Sequence, residues 1–116
     1  MTEPIQKQGV ENPRVVDLIS VDSQTQEVVL TMIESRSWGT VPGQIQQLSN
    51  KFDSYFSYVL DGFFIKEYPQ YKGKAIRVQL ECVEVPSGLF QECIEAAENF
   101  ASTENMRVAV KTTGAS

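Results

Sequence analysis

The succession of periodic segments predicts an α+β fold: a two-layer α/β sandwich in the order β-β-α-β-α-β, with a mixed four-stranded sheet and both helices on one face. Three observations predict it. Two runs rich in β-branched residues, 14–21 and 27–33, are joined by the short polar stretch Asp22-Ser23-Gln24-Thr25-Gln26. Ile45, Leu48, Phe52, Tyr55, Phe56 and Val59 then recur at the spacing of a single helix face. Finally, Ile76, Val78, Leu80 and Cys82 alternate with Arg77, Gln79 and Glu81, as in a strand with one buried and one wet face.

The elements follow in order. Residues 1–13 lack periodicity and end in Asn12-Pro13, so they are expected to form a flexible lead-in. The hairpin strands come next, and the polar pentapeptide between them is their turn. Residues 35–40 form a loop around Trp38, the only tryptophan. The long helix starts near Pro42, a residue suited to a first helical turn, and stops at Gly62. The twelve residues 63–74 leave room for a further short strand. After the strand at 75–83, Pro86-Ser87-Gly88 opens a second helix, with Ser87 as N-cap and Glu92 near the positive end. Phe90, Cys93, Ile94, Ala97, Phe100 and Ala101 make its apolar stripe, and residues 106–111 alternate as a last strand. Residues 14–111 are thus read as a single α/β domain, with 112–116 a disordered tail. Right-handed crossovers with strands stepping one way give the order 1-2-3-4, strand 1 antiparallel and strands 2–4 parallel.

Bulk composition narrows the function. A chain of 116 residues, 41% hydrophobic and 22% charged, can bury its own core. The net charge of −5 disfavours nucleic acid and anionic membrane surfaces as partners. No apolar run approaches the roughly 20 residues of a membrane span, and the first residues lack a signal-peptide pattern. A cytoplasmic location follows as the expectation. The chain has no histidine, which excludes His-dependent nucleophilic catalysis and His-containing zinc sites. Cys82 and Cys93 read as free core thiols, so no metal and no cofactor is expected.

Ligands in such sheets favour the carboxyl ends of parallel strands. Arg36, Trp38, Glu84 and Ser87 meet there in the predicted fold and are the candidate ligand-binding residues, suited to an anion beside two helix N-termini. The competing structural reading has Trp38 capping the core and Arg36 paired with a nearby carboxylate. The carboxylate pairs Asp17 with Glu34, Glu81 with Glu84 and Asp53 with Asp61 are read as groups on wet faces, so no catalytic residue is assigned. On the long helix, Lys51, Ser54, Tyr58 and Asp61 are expected to face water. The Tyr68–Lys74 segment interleaves aromatic and basic residues, but its tyrosines are read as folding over the helix end. The hairpin carries more apolar surface than one helical layer covers. Ile19, Val21, Val29 and Ile33 are therefore the expected interaction face, for a homodimer or another protein partner. The alternative cover is the N-terminal segment, through Ile5 and Val10.

Val16-Asp17-Leu18-Ile19, Val29-Leu30, Arg36 and Trp38 resemble the pattern of a family of small bacterial proteins known only as a domain of unknown function. Leu48, Lys51, Tyr55, Asp61-Gly62, Tyr68-Pro69, Gly73 and the strand around Ile76 to Leu80 continue it. The resemblance spans roughly residues 12–86. It implies a small α/β domain in a bacterial cytoplasm and brings no activity or ligand. Taken together, the sequence predicts a non-catalytic protein-interaction or dimerisation module, with a small anionic-ligand-binding protein using the Arg36-Trp38 and Pro86-Ser87 loops as the alternative.

Overall fold

A computed structural model of the chain describes residues 16–113. Strand β1 (Leu18–Val21) runs antiparallel to β2 (Val28–Glu34). Between them the Asp22 carboxylate accepts the N–H groups of Gln24 and Thr25 at 2.8 and 3.1 Å, so the polar pentapeptide closes its own turn. Strand β3 (Ile76–Cys82) pairs in parallel with β2, and β4 (Met106–Thr112) in parallel with β3, giving the order β1-β2-β3-β4. Topology and strand directions are those the sequence predicts.

Helix α1 (Gln44–Leu60) links β2 to β3. It begins after Gly43, which holds φ 76°, so Pro42 lies in the turn ahead of the helix rather than in its first turn. Gly62, at φ 89°, ends α1 and opens the short helix α2 (Phe63–Glu67), with a 3₁₀ turn at Pro69–Tyr71 beyond. The connection therefore holds helical turns where the sequence leaves room for a strand. Phe64 drives this choice: it is fully buried, with Tyr68 and Tyr71 packed on its ring at 5.7 and 6.1 Å.

Helix α3 (Leu89–Thr103) links β3 to β4 and starts from Gly88 at φ 59°. Ser87 is not its cap. The Ser87 carbonyl accepts the Phe90 N–H at 3.2 Å, and no side chain caps the helix. At the far end β4 includes Thr112, and the Thr113 N–H reaches the Cys82 carbonyl at 2.7 Å, so order runs past the expected domain edge. The expected lead-in at 1–13 and the last tail residues, 114–116, lie outside the described residues.

The core takes one alternate set from the parallel strands: Val28, Leu30 and Met32 of β2, Ile76, Val78 and Leu80 of β3, and Met106 and Val108 of β4. Against them pack Leu48, Phe52, Tyr55 and Phe56 of α1 and Ile94, Ala97 and Ala101 of α3. Register then divides the expected interaction face. Ile19 stands opposite Leu30 and Val21 opposite Val28, which places both on the side of the helices, and Ile19 packs against the core. Val29 and Ile33 lie on the other side, where Val29 is 3% exposed. In an antiparallel pair, residues directly opposite share a face, so the pairing of odd with even positions separates the four. Beside apolar Leu18, Val29, Ile33 and Ala109, the other sheet face carries Thr31, Arg77, Gln79, Glu81, Arg107 and Lys111. Cys82 and Cys93 are both free thiols, Cys82 buried and Cys93 half-buried.

Candidate functional site

The carboxyl ends of β2 and β3 do bring Arg36, Trp38 and Glu84 together. Glu34, the last residue of β2, points into the helix-side layer because it continues the Val28-Leu30-Met32 alternation, and its side chain is almost fully buried. Arg36 meets it as a fork: Nε and a terminal nitrogen each donate to one carboxylate oxygen at 2.8 Å. That terminal nitrogen also donates to Gln47 at 2.8 Å, and buried Gln44 donates to Glu34 at 3.1 Å. Burial raises the Glu34 pKa, but these hydrogen bonds outweigh it and hold the carboxyl below its ordinary value. The Trp38 indole N–H donates to the Glu84 carbonyl at 2.9 Å, and the Trp38 amide to the Glu84 carboxylate at 3.2 Å. The indole packs on Phe90 with centroids 4.8 Å apart. Ser87 is exposed, and its carbonyl accepts the Phe90 N–H. The fork an anionic ligand would need is thus occupied by the protein's own Glu34, and the loop acts as a clasp between β2, β3, α1 and α3.

A second polar cluster lies where the sequence places only solvent-facing groups. Lys51 and Asp17 have side chains closed off from solvent, with Nζ 3.5 Å from the carboxylate. Lys51 faces inward because it follows Leu48 by three residues on the buried side of α1. Burial draws its pKa down while Asp17 opposes the change. Beside it the Tyr55 hydroxyl accepts the Asp17 N–H at 3.0 Å and donates to the Thr31 carbonyl at 2.7 Å. Burial pushes the phenol well above its ordinary pKa, so it serves as a neutral bridge between β1, β2 and α1. Asp17 and Glu34 are therefore buried ion-pair partners, contrary to their reading as wet-face acids.

The concave feature of this layer lies between the two long helices. Because each helix returns the chain between parallel neighbours, α1 and α3 run side by side in one direction, and Phe56 meets Phe100 with centroids 4.9 Å apart. Along the seam the side chains are small. Ser49 and Ser57 of α1 face Cys93, Ala96 and Ala97 of α3, and a groove of about 720 Å³ opens above them. Its floor is Phe52 and Phe56, and exposed Leu60, Leu89 and Phe100 stand along its walls. Burial raises the pKa of the Cys93 thiol in this wall. Asp53, Asp61 and Glu92 form the rim. A second concavity of about 600 Å³ lies across α1, where Tyr58 donates to Glu67 and Phe63 and Tyr68 close the wall. Reading α1 and α3 only as core stripes misses the groove. The signal available in the sequence is the width of the α3 apolar arc, where Leu89 and Ala96 extend the stripe beyond what a sheet covers.

Among the described residues no cluster of histidine, cysteine or carboxylates is arranged to hold a metal ion. Among the same residues, no helix is long and apolar enough to cross a membrane. No curated protein and no solved structure matches the chain. A family model does, over residues 8–114, which is nearly the whole chain. On that match, the protein belongs to the family of unknown function DUF6572.

Proposed function

We propose that the protein is a non-catalytic protein-interaction module whose contact surface is the groove between α1 and α3. One observation carries this reading: three exposed large apolar side chains stand around one concave surface, whereas Leu18, Val21, Ile33, Phe63, Val85 and Val110 are exposed outside it. Leu60, Leu89 and Phe100 are 44, 66 and 43% exposed around a floor of buried phenylalanines. Apolar groups gathered in this way gain by burial against a partner, at about 25 cal/mol per Å². The sheet face expected to serve this role is supported less well, because Ile19 and Val21 turn toward the helices and, on the opposite face, exposed Leu18 and Ile33 stand on a surface shared with Arg77, Gln79, Glu81, Arg107 and Lys111. An anion at the Arg36-Trp38 loop would have to displace a buried carboxylate from a bidentate pair.

Site-specific photo-crosslinking in the source cell tests the reading. A benzophenone amino acid in place of Leu89, an exposed apolar residue of the groove wall, is expected to give a discrete adduct that Phe100→Lys removes. The same probe at Lys111, on the opposite sheet face, is expected to give none. No adduct from position 89, or equal adducts from both positions, would overturn the proposal.

A further inference from the structure

Resting on the groove as a docking surface, we propose that its partner is a cationic amphipathic helix. The shape comes first. One wall runs from Ile45 of α1 to Asp61 just past its end, and the other from Leu89 to Phe100 of α3. At ~1.5 Å per residue these walls are about 24 and 17 Å long, so the trough takes three to four turns of a third helix. Small side chains at Cys93, Ala96 and Ala97 leave room for apolar knobs at i, i+3, i+4 and i+7 of such a partner.

Charge then selects among the possible occupants. The rim carries Asp53, Asp61 and Glu92, and α3 adds exposed Glu95 and Glu98 on its outer side. Neither helix offers a cation in return: α3 has no basic residue, and Lys51, the one lysine of α1, is buried toward the sheet with Asp17. The exposed side of both helices is acidic along the groove. A second copy of this chain would bring a like-charged rim to its partner, and an anionic headgroup or fatty acid would meet the same carboxylates. A helix with Leu or Phe on one face and Lys or Arg flanking it satisfies both floor and rim.

Titration calorimetry of the full chain with two synthetic peptides of about 15 residues tests this choice. Both carry the same leucine stripe; one has lysine flanks, the other glutamate. The lysine peptide is expected to bind and the glutamate peptide not. Ala96→Trp, which fills the groove from an exposed position, is expected to abolish binding. The triple variant Asp53→Asn, Asp61→Asn, Glu92→Gln is expected to weaken it about tenfold. Near-ultraviolet circular dichroism of each variant checks that the fold is kept. Equal binding of both peptides, lost in Ala96→Trp, would overturn the cationic partner and leave the groove as a docking site. Binding of neither peptide would also overturn the cationic helix. A lysine peptide that binds Ala96→Trp unchanged would overturn the docking site as well. A dimer in light scattering that Ala96→Trp dissolves would assign the groove to a second copy and overturn the proposal.

Discussion

The Tyr55 hydroxyl accepts the Asp17 N–H and donates to the Thr31 carbonyl. Removing it costs the Asp17 N–H this acceptor and the Thr31 carbonyl this donor. Tyr55→Phe is therefore expected to lower stability by about 2 kcal/mol, read as a shift in urea midpoint at unchanged slope. An unchanged midpoint would show that water replaces the hydroxyl. Lys51 and Asp17 set a sharper test of the same cluster. Lys51→Met leaves a buried carboxylate without its ammonium and is expected to cost about 3–5 kcal/mol. The double variant Lys51→Met, Asp17→Asn removes the stranded charge and is expected to recover at least half of that loss, giving a coupling of about 1–3 kcal/mol in the cycle. Neither residue's role was legible in the sequence. A lysine three positions after a core leucine reads as solvated unless an acid is known to sit above it, and Asp17 arrives there only through the pairing of β1 with β2.

At the scale of elements, the sequence was most informative where a local cause decides the outcome. Gly62 is one such place. It adopts φ 89° at the junction of α1 and α2, and a Cβ there meets no atom within 4 Å. Gly62→Ala is thus a test of backbone strain without steric clash. It is expected to cost about 1–2 kcal/mol by thermal unfolding. A cost near zero would mean that the junction relaxes out of the left-handed region. The alternation of β3 was equally legible, since each of its residues answers only to the two faces of one sheet. The segment between Gly62 and β3 was not. Its helical turns set Phe64 against Tyr68 and Tyr71 and, across to α1, against Tyr58 at 5.9 Å, a contact that no local pattern announces.

Across the whole molecule, Glu27 holds the polar end of the sheet together. Arg107 of β4 donates to it twice, at 2.6 and 2.8 Å, and Arg77 of β3 donates at 2.8 Å while also reaching Asp22 in the hairpin turn at 3.0 Å. Arg107 is the main cause that draws the Glu27 pKa down from 4.5 to about 2, against the opposing effect of burial. A carboxyl whose pKa is lower in the folded chain binds fewer protons there than in the unfolded chain. Its contribution is therefore complete above about pH 5 and is lost as the pH falls toward 2. Thermal unfolding across that window is expected to show a falling midpoint, and Glu27→Gln is expected to flatten the fall while lowering stability at pH 7. A parallel fall in the variant would assign the acid sensitivity to other carboxylates. The same face carries charged and hydrogen-bonded groups beside exposed Leu18 and Ile33, while Leu60, Leu89 and Phe100 are exposed along the seam of the helices.

By itself the sequence determined the order of the strands and the two long helices, the directions of the strands and the aromatic face that binds α1 to the sheet. These follow from periodicity and short connections, which act within a few residues or across one crossover. It also brought Arg36, Trp38 and Glu84 to one edge, because topology alone sends the ends of β2 and β3 there. Tertiary structure decided what those residues touch. Glu34 fills the Arg36 fork, and Trp38 bonds to Glu84. Pairing register sends Ile19 and Val21 to the helix side, a choice that a shift of one residue would reverse. Small residues on two separate helices leave a trough only when the helices lie side by side. Packing between distant segments sets such features, and no single stretch of the chain encodes them.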